Sequence, residues 1–404
     1  MIQNSKKEIA ILKTATAKQK ELTNVAIIKE RFANLDQQEM ETCQAQCDKY
    51  LSLALRSYCD VLAHGDQVQP LYCSTLIGTN LPVQSSLCQA LAVYRLISLW
   101  FSNSGSAQVT ALVAARISTI SSHKFVPLLY QMAARMGADK SQFSSALSEL
   151  MLQCSRDHPH HALPIVLALA HAKEEEAEKG AKVGASAADP RSLAAGKLLS
   201  KLEKEPEVGR LVSCYRNLCL ALIDLAYLAP PAPKPGVKKL AENIQLSRRQ
   251  PLLVGSWEEA AVLTDTLPVR PDRDYGAVCG IQQYIPNYSM VGGVNAPKKI
   301  SCRGTDGVAR LQLVKGKDDL RQDAVMEQVF GLMNSLLDRS QEARRRQLSV
   351  RTYKVVPLSQ RSGVLEWCTN TQPLAGFLVG PDSCSGAHKK YFPGSWDSLT
   401  CRRK

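Results

Sequence analysis

One stretch of this sequence has the residue types and spacing that chemistry on phosphate needs: Leu313-Val314-Lys315-Gly316-Lys317-Asp318-Asp319-Leu320-Arg321-Gln322-Asp323. An apolar run ends in a lysine, a glycine turns the chain, and an acidic helix start follows. A lysine fixed at a strand end can reach phosphate oxygens. A carboxylate in the first turns of the next helix can hold that lysine in place. By spacing alone, a solvated charge-rich turn is the simpler reading. Upstream, Val291-Gly292-Gly293-Val294-Asn295-Ala296-Pro297-Lys298-Lys299 is a glycine loop between two strand-like runs. Its backbone could approach a nucleotide, although it fits neither Gly-x-Gly-x-x-Gly nor a Walker sequence and would equally serve as a plain hairpin. Downstream, Gly363-Val364-Leu365-Glu366-Trp367-Cys368 ends a strand in an aromatic side chain and main-chain donors. That combination suits a purine base, although an isolated Trp also suits a core.

Other clusters carry less. Cys154, His158, His160 and His161 could suggest zinc, but Pro159 interrupts them and no second ligand pair follows. Asp157 is expected to cap the helix beginning near Pro159 while the histidines pack locally. No Ser/His/Asp or Cys/His nucleophile can be assigned. Basic groups at Lys298-Lys299, Arg344–Arg346, Lys389-Lys390 and Arg402–Lys404 are short and dispersed. No recognition motif accompanies them, so direct nucleic-acid binding is not expected. Ser141, Ser340, Ser359 and Thr371 each precede a Gln.

The elements that must position these residues change character along the chain. Residues 1 to about 172 read as amphipathic helices of about 15–25 residues, broken at Gly65, Gly78, Asn103 and Gly137. This is the texture of stacked helical hairpins. Residues 173–206 are rich in Lys, Glu, Ala, Gly and Ser and read as a linker or as an exposed helix with a flexible linker, the linker being favoured over 179–192. Another helix runs from Val208 to about Ala229, where the proline-rich 230–236 stops it. From about Pro251 strand-like patterns appear at 277–285, 310–315, 350–356 and 364–368. A helix from Asp318 to about Leu337 sits among them. Its stripe of Val325, Val329, Leu332, Met333, Leu336 and Leu337 is expected to be core. The fold class is therefore mainly α, a helical solenoid, followed by a small α+β lobe.

The chain has 404 residues, is 45% hydrophobic and 22% charged, and carries a net charge of +13. Those values exclude wholesale disorder and favour an acidic or phosphate-bearing partner. Its 13 cysteines are odd in number and contain no Cys-x-x-Cys pair. They predict reduced thiols in a cytosolic or nuclear protein, not a disulfide framework. No signal peptide and no membrane span are expected.

Together, the three nucleotide-facing pieces and whole phrases of the helical part resemble the phosphoinositide 3-kinase-related kinase family. The phrases are Lys-Phe-Val-Pro-Leu-Leu-Tyr-Gln-Met-Ala-Ala-Arg-Met-Gly at 124–137, Asp-His-Pro-His-His at 157–161 and Gly-Gly-Val-Asn at 292–295, with the run 313–330 and Thr-Tyr-Lys-Val-Val-Pro-Leu-Ser-Gln-Arg-Ser-Gly-Val-Leu-Glu-Trp-Cys at 352–368. The resemblance implies that 1–230 is the end of the family's FAT-like solenoid, that 231–250 is a linker and that 251–368 is the kinase N-lobe. Residues 369–404 would then begin a C-lobe that the chain does not contain.

The same resemblance implies ATP and Mg²⁺ as cofactors. Lys315 would contact the phosphates, Asp323 would orient it, Asp318 would be a second acid, and Tyr353 would lie nearby. Gly292, Gly293, Val294, Asn295, Ala296, Pro297 and Lys298 would form the loop over the phosphates. Leu365, Glu366, Trp367 and Cys368 would form the hinge against adenine. The family's role implies a nuclear, also cytoplasmic, homodimeric kinase acting on Ser/Thr-Gln sites in DNA-damage signalling, repair and checkpoint control, with DNA-repair sensor proteins as partners. No Gly-Asp-Arg-His-x-x-Asn and no Asp-Phe-Gly or Asp-Leu-Gly follows the hinge. The expectation is therefore no catalytic residue, no metal ligand and no phosphoryl transfer by this chain alone. The alternative is a non-catalytic helical scaffold or interaction fragment. A lipid kinase is a third reading, which the phrases outside the ATP site disfavour.

Overall fold

A computed structural model describes residues 20–64, 85–173, 189–229, 243–292, 295–380 and 386–391. The expected breaks at Gly65 and Gly78, the proline run 230–236 and the basic residues Arg402–Lys404 lie outside the described residues, as does the linker over 174–188. The helices are α1 Lys20–His64, α2 Ser85–Ser102, α3 Ala107–Ile117, α4 Leu129–Ala134, α5 Gln142–Asp157, α6 Pro159–Ala170, α7 Pro190–Leu202, α8 Gly209–Tyr227, α9 Pro251–Val254, α10 Leu320–Leu337, α11 Gln341–Arg345, α12 Leu374–Val379 and α13 Ala387–Tyr391. The strands are β1 Ile244–Gln245, β2 Trp257–Ala261, β3 Gly280–Tyr284, β4 Asn287–Met290, β5 Lys298–Gly304, β6 Ala309–Gly316, β7 Val355–Pro357 and β8 Ser362–Glu366. The chain divides into two compact units. One comprises residues 1–166, 186–208 and 269–276; the other comprises 167–185, 209–268 and 277–404.

The first unit is helical because its apolar residues recur at three and four and its turns carry caps. Ser106 and Ser141 accept main-chain N–H bonds at the starts of α3 and α5. Trp100, Phe101 and Phe143 meet at ring separations of 5.2–5.7 Å beneath them. The linker expected over 173–206 needs correction at 190–202, which forms α7. Asp189 caps it, Pro190 occupies its first turn, and Ala194, Ala195, Leu198, Leu199 and Leu202 are buried. The polar composition was that of the exposed half of a short amphipath.

Asp157 also departs from expectation. It accepts from Ser122 Oγ (2.5 Å) and pairs with Arg273 (3.2 Å) instead of capping α6. His158 bonds Tyr275 Oη (2.8 Å), and the rings of His158, His160 and His161 lie 5.5–5.9 Å from that tyrosine. The histidines thus seat the 269–276 segment.

The second unit is an antiparallel sheet in the order β1-β4-β5-β6-β8-β7, with β2 joined to β3 and β3 to β5. The β-branched runs expected at 310–315 and 364–368 became β6 and β8, while of 350–356 only Val355 and Val356 lie in a strand, β7. Register assigns the faces, because residues paired across an antiparallel ladder share a side. Lys298, Val314, Val364 and Val356 lie on one face; Lys299, Leu313, Leu365 and Val355 lie on the other. α8 covers the first face. Its Val212, Tyr215, Leu218, Cys219, Leu222 and Leu225 are buried, and Tyr215 Oη accepts from Ala261 N (3.0 Å). On the second face, Leu320 of α10 clusters with Val355 and Leu365, joined by Leu313, Ala324 and Tyr353.

The expected core stripe on α10 is a correction. Val325, Val329, Leu332, Met333 and Leu336 are 42–62% exposed, and Leu320 is the buried residue of that helix. Apolar spacing marks a face that packs, but not whether its partner is within the described residues.

Candidate nucleotide site

The site begins with β6. Paired with β5 and β8, this strand is held on both sides, and its last side chain on the face that α10 packs against is Lys315. Gly316 then lies so close to α8 that a β-carbon would approach Ala226 O to 2.9 Å. Lys317 turns the chain at a φ of 61°. Asp319 caps α10 by accepting from Arg321 N (3.1 Å) and pairs with the Arg321 guanidinium, which holds its carboxyl below the usual range. The helix start therefore aims Asp323 back at the strand end. Lys315 Nζ stands 3.3 Å from Asp323 Oδ2 and 3.7 Å from Asp318 Oδ2, as the acidic helix start suggested.

The neighbour of Lys315 across the ladder is Gly363. A β-carbon there would meet Val356 O at 2.6 Å and the Leu320 side chain at 3.3 Å, so only glycine fits. The result is a part-buried lysine held between two carboxylates at the end of the face that α10 packs against, with no side chain opposite it on β8.

Tyr353 lies in the segment leading into β7, packed on the Leu320–Val355–Leu365 cluster. Burial, with the Glu327 and Asp323 carboxylates next, raises its hydroxyl pKa. Glu366 N–H bonds Lys354 O (2.8 Å) and Trp367 N–H bonds Leu311 O (3.0 Å). Lys354 N–H turns to the Glu366 carboxylate (3.1 Å) rather than to its main-chain carbonyl. This sidestep leaves the carbonyl outside that ladder bond, the group a base edge would meet. Cys368 follows, with its carbonyl accepting from Thr371 Oγ1 (3.0 Å) and its thiol pKa raised by burial.

The glycine loop divides. Gly293 and Val294 lie outside the described residues. Gly292 is exposed; Val291 N–H bonds Pro297 O (2.9 Å), and Ala296 adopts a φ of 46°. Asn295 Nδ2 reaches Lys317 O (3.4 Å), which places the loop beside the Lys315 turn.

Lys298 is not among the gathered groups. Its side chain passes to the covered face, 2% exposed, where Nζ donates to Ala226 O (2.8 Å) in the last turn of α8. Burial, with Lys317 second, lowers its pKa to about 8. Lys298 therefore ties α8 to the sheet and does not reach toward phosphates. Sequence reasoning missed Lys299, which shares the Lys315 face and lies 5.0 Å from the Trp367 ring. Alternation along β5 was the signal: of two adjacent lysines, only one can face the site.

The phosphatidylinositol 3- and 4-kinase family model matches residues 312–390. The serine-protein kinase ATM of Sus scrofa is 36% identical over 422 aligned positions, spanning 100% of this chain and 13% of that protein. The solved FAT and kinase domain of CtTel1 superposes with a TM-score of 0.72 at 26% identity, covering 99% of this chain and 26% of that one. The complete CtTel1 dimer with C2 symmetry gives the same TM-score and identity, with 14% of its chain covered. The chain thus spans about an eighth of the length of the curated relatives it matches. Its resemblance to the phosphoinositide 3-kinase-related kinases holds over nearly its whole length, as does the solenoid-then-N-lobe architecture.

Proposed function

We infer that this chain is the ATP-facing lobe, with the helices that precede it, of an ATM/Tel1-type serine/threonine protein kinase of the phosphoinositide 3-kinase-related family. The observation that carries the reading is the Lys315–Asp323 pair beside Gly363, at the end of the face that α10 packs against. An ATP phosphate offers this lysine the anion its position calls for, and Asp323 and Asp318 hold the ammonium there without a crossing side chain. The Glu366 carbonyl and Cys368 main chain would receive the adenine edge, with Trp367 alongside. Among the described residues no group of three His, Cys, Asp or Glu side chains could hold a metal ion, so Mg²⁺ enters this reading only as the companion of ATP.

For the longer protein, the reading extends to transfer of the ATP γ-phosphoryl group to Ser/Thr-Gln sites in DNA-damage signalling and repair, in a nuclear homodimer working with sensor proteins. The dimeric CtTel1 assembly supports the homodimer. This chain by itself is proposed to bind ATP without turning it over, since it holds no Gly-Asp-Arg-His-x-x-Asn sequence to position an attacking hydroxyl.

The test is displacement of fluorescent trinitrophenyl-ATP by ATP, in the unaltered chain and in Lys315→Met. Labelled phosphate transfer to a Ser-Gln peptide is followed in parallel. Saturable binding lost in the variant, without transfer, is the expected result. Binding that ignores the substitution would favour the scaffold reading, and Lys315-dependent transfer would overturn the proposed inactivity.

A further inference from the structure

α10 carries Asp323, yet little holds that helix. Its buried residue is Leu320, in the first turn, and the outward stripe from Val325 to Leu336 is exposed. What fastens the rest is polar. Asp323, Glu327 and Asn334 recur at spacings of four and seven, which puts them on one helical face. Asn334 exchanges two hydrogen bonds with the main chain of Val350, both 2.7 Å. Glu327 Oε2 accepts from Tyr353 N–H at 2.9 Å. Its other oxygen, Oε1, is buried with no hydrogen-bond partner among the described residues.

A carboxylate buried to that degree costs stability unless its bonds are worth keeping. Glu327 spends its bond where α10 meets the segment bearing Tyr353, between the Leu320–Ala324 packing and the Asn334–Val350 bonds. That segment continues into β7, whose Val355 pairs with Leu365 of β8. One turn earlier on the same helix, Asp323 meets Lys315. A tilt of α10 about its Leu320 anchor would strain the Lys315–Asp323 pair, and the Glu327 bond, farther from the anchor, opposes that tilt with a longer lever arm.

We propose that Glu327 is a positioning residue of the nucleotide site, the clip that fixes α10 to the Tyr353 segment and so sets the Lys315–Asp323 pairing. The proposal rests on the nucleotide reading given above, and its test separates the two. Displacement of trinitrophenyl-ATP by ATP is measured on the full 404-residue chain with Glu327→Ala, Glu327→Gln and Lys315→Met, alongside hydrogen exchange of the Tyr353 amide. Glu327→Ala should weaken ATP roughly tenfold, the order expected for loss of a charge-assisted bond. Glu327→Gln, whose amide oxygen still accepts from Tyr353 N–H, should restore affinity to within about threefold, which general destabilisation would not do. Tyr353 exchange should quicken in the alanine variant and stay slow in the glutamine variant.

Equal ATP affinity in the unaltered chain and Glu327→Ala would overturn the proposal, as would equal losses in the two Glu327 variants. If the unaltered chain shows no Lys315-dependent binding, the nucleotide reading fails. Glu327 then has no site to position, whereas Tyr353 exchange still reports whether the clip exists.

Discussion

At the scale of single residues, two adjacent lysines do opposite work because a strand alternates. Lys299 faces the site; Lys298 is buried against the end of α8, where a cation also meets the favourable end of the helix dipole. Replacing Lys298 by Met should cost ~1–3 kcal/mol in urea unfolding, because the buried Ala226 carbonyl loses its donor, while ATP affinity stays unchanged. Its titration gives a second check. The folded-state pKa of about 8 lies below the ordinary 10.5, so the unfolded chain binds more protons between those values. Stability therefore gains a contribution as pH rises from 8 to 10.5, and Lys298→Met should flatten the unfolding midpoint over that window.

At the scale of elements, the segment 269–276 is seated by histidines that burial keeps neutral. His158 and His160 have pKa values near 4 in the fold, lowered by burial, against an ordinary 6.5. Between these values the unfolded state holds more protons, so stability is lost as pH falls from 6.5 to 4. Melting curves should show that loss, and His158→Gln should reduce its steepness. The exposed stripe of α10 makes a different prediction. Five large apolar side chains on one helix face form a patch that associates in water. Leu332→Glu with Leu336→Glu should reduce light scattering of the concentrated chain and leave trinitrophenyl-ATP binding intact, since neither side chain faces Lys315. Unchanged scattering would show that the stripe does not drive association.

At the scale of the whole molecule, the division into two compact units makes a statement about energy. Lys315, Asp323 and residues 365–368 all belong to the unit built on the sheet. A ligand stabilises only what it binds, by about 2.7 kcal/mol at a hundred times its dissociation constant. In calorimetry, saturating ATP should therefore raise the melting of the sheet unit and leave that of the helical unit in place. A uniform shift of one single transition would show that the units unfold together. The helix α8 belongs to this argument, for it groups with the sheet although its composition is that of the helices before it.

What the sequence determined by itself was local or positional. The break from helical period to strand alternation near Pro251, the lysine–glycine–acid order at 315–323 and the strand running up to Trp367 were all readable, because backbone conformation and cap chemistry depend on neighbours a few residues apart. The same locality explains the misreadings. Whether the α10 stripe is covered, whether Asp157 caps a helix or holds Ser122 and Arg273, and which of two lysines turns inward depend on residues tens of positions away. Tertiary structure alone decided those points, and with them the Glu327–Tyr353 bond, 26 residues long in sequence and 2.9 Å in space. Pairing register and packing brought those groups together, and no period in the chain encodes such a distance.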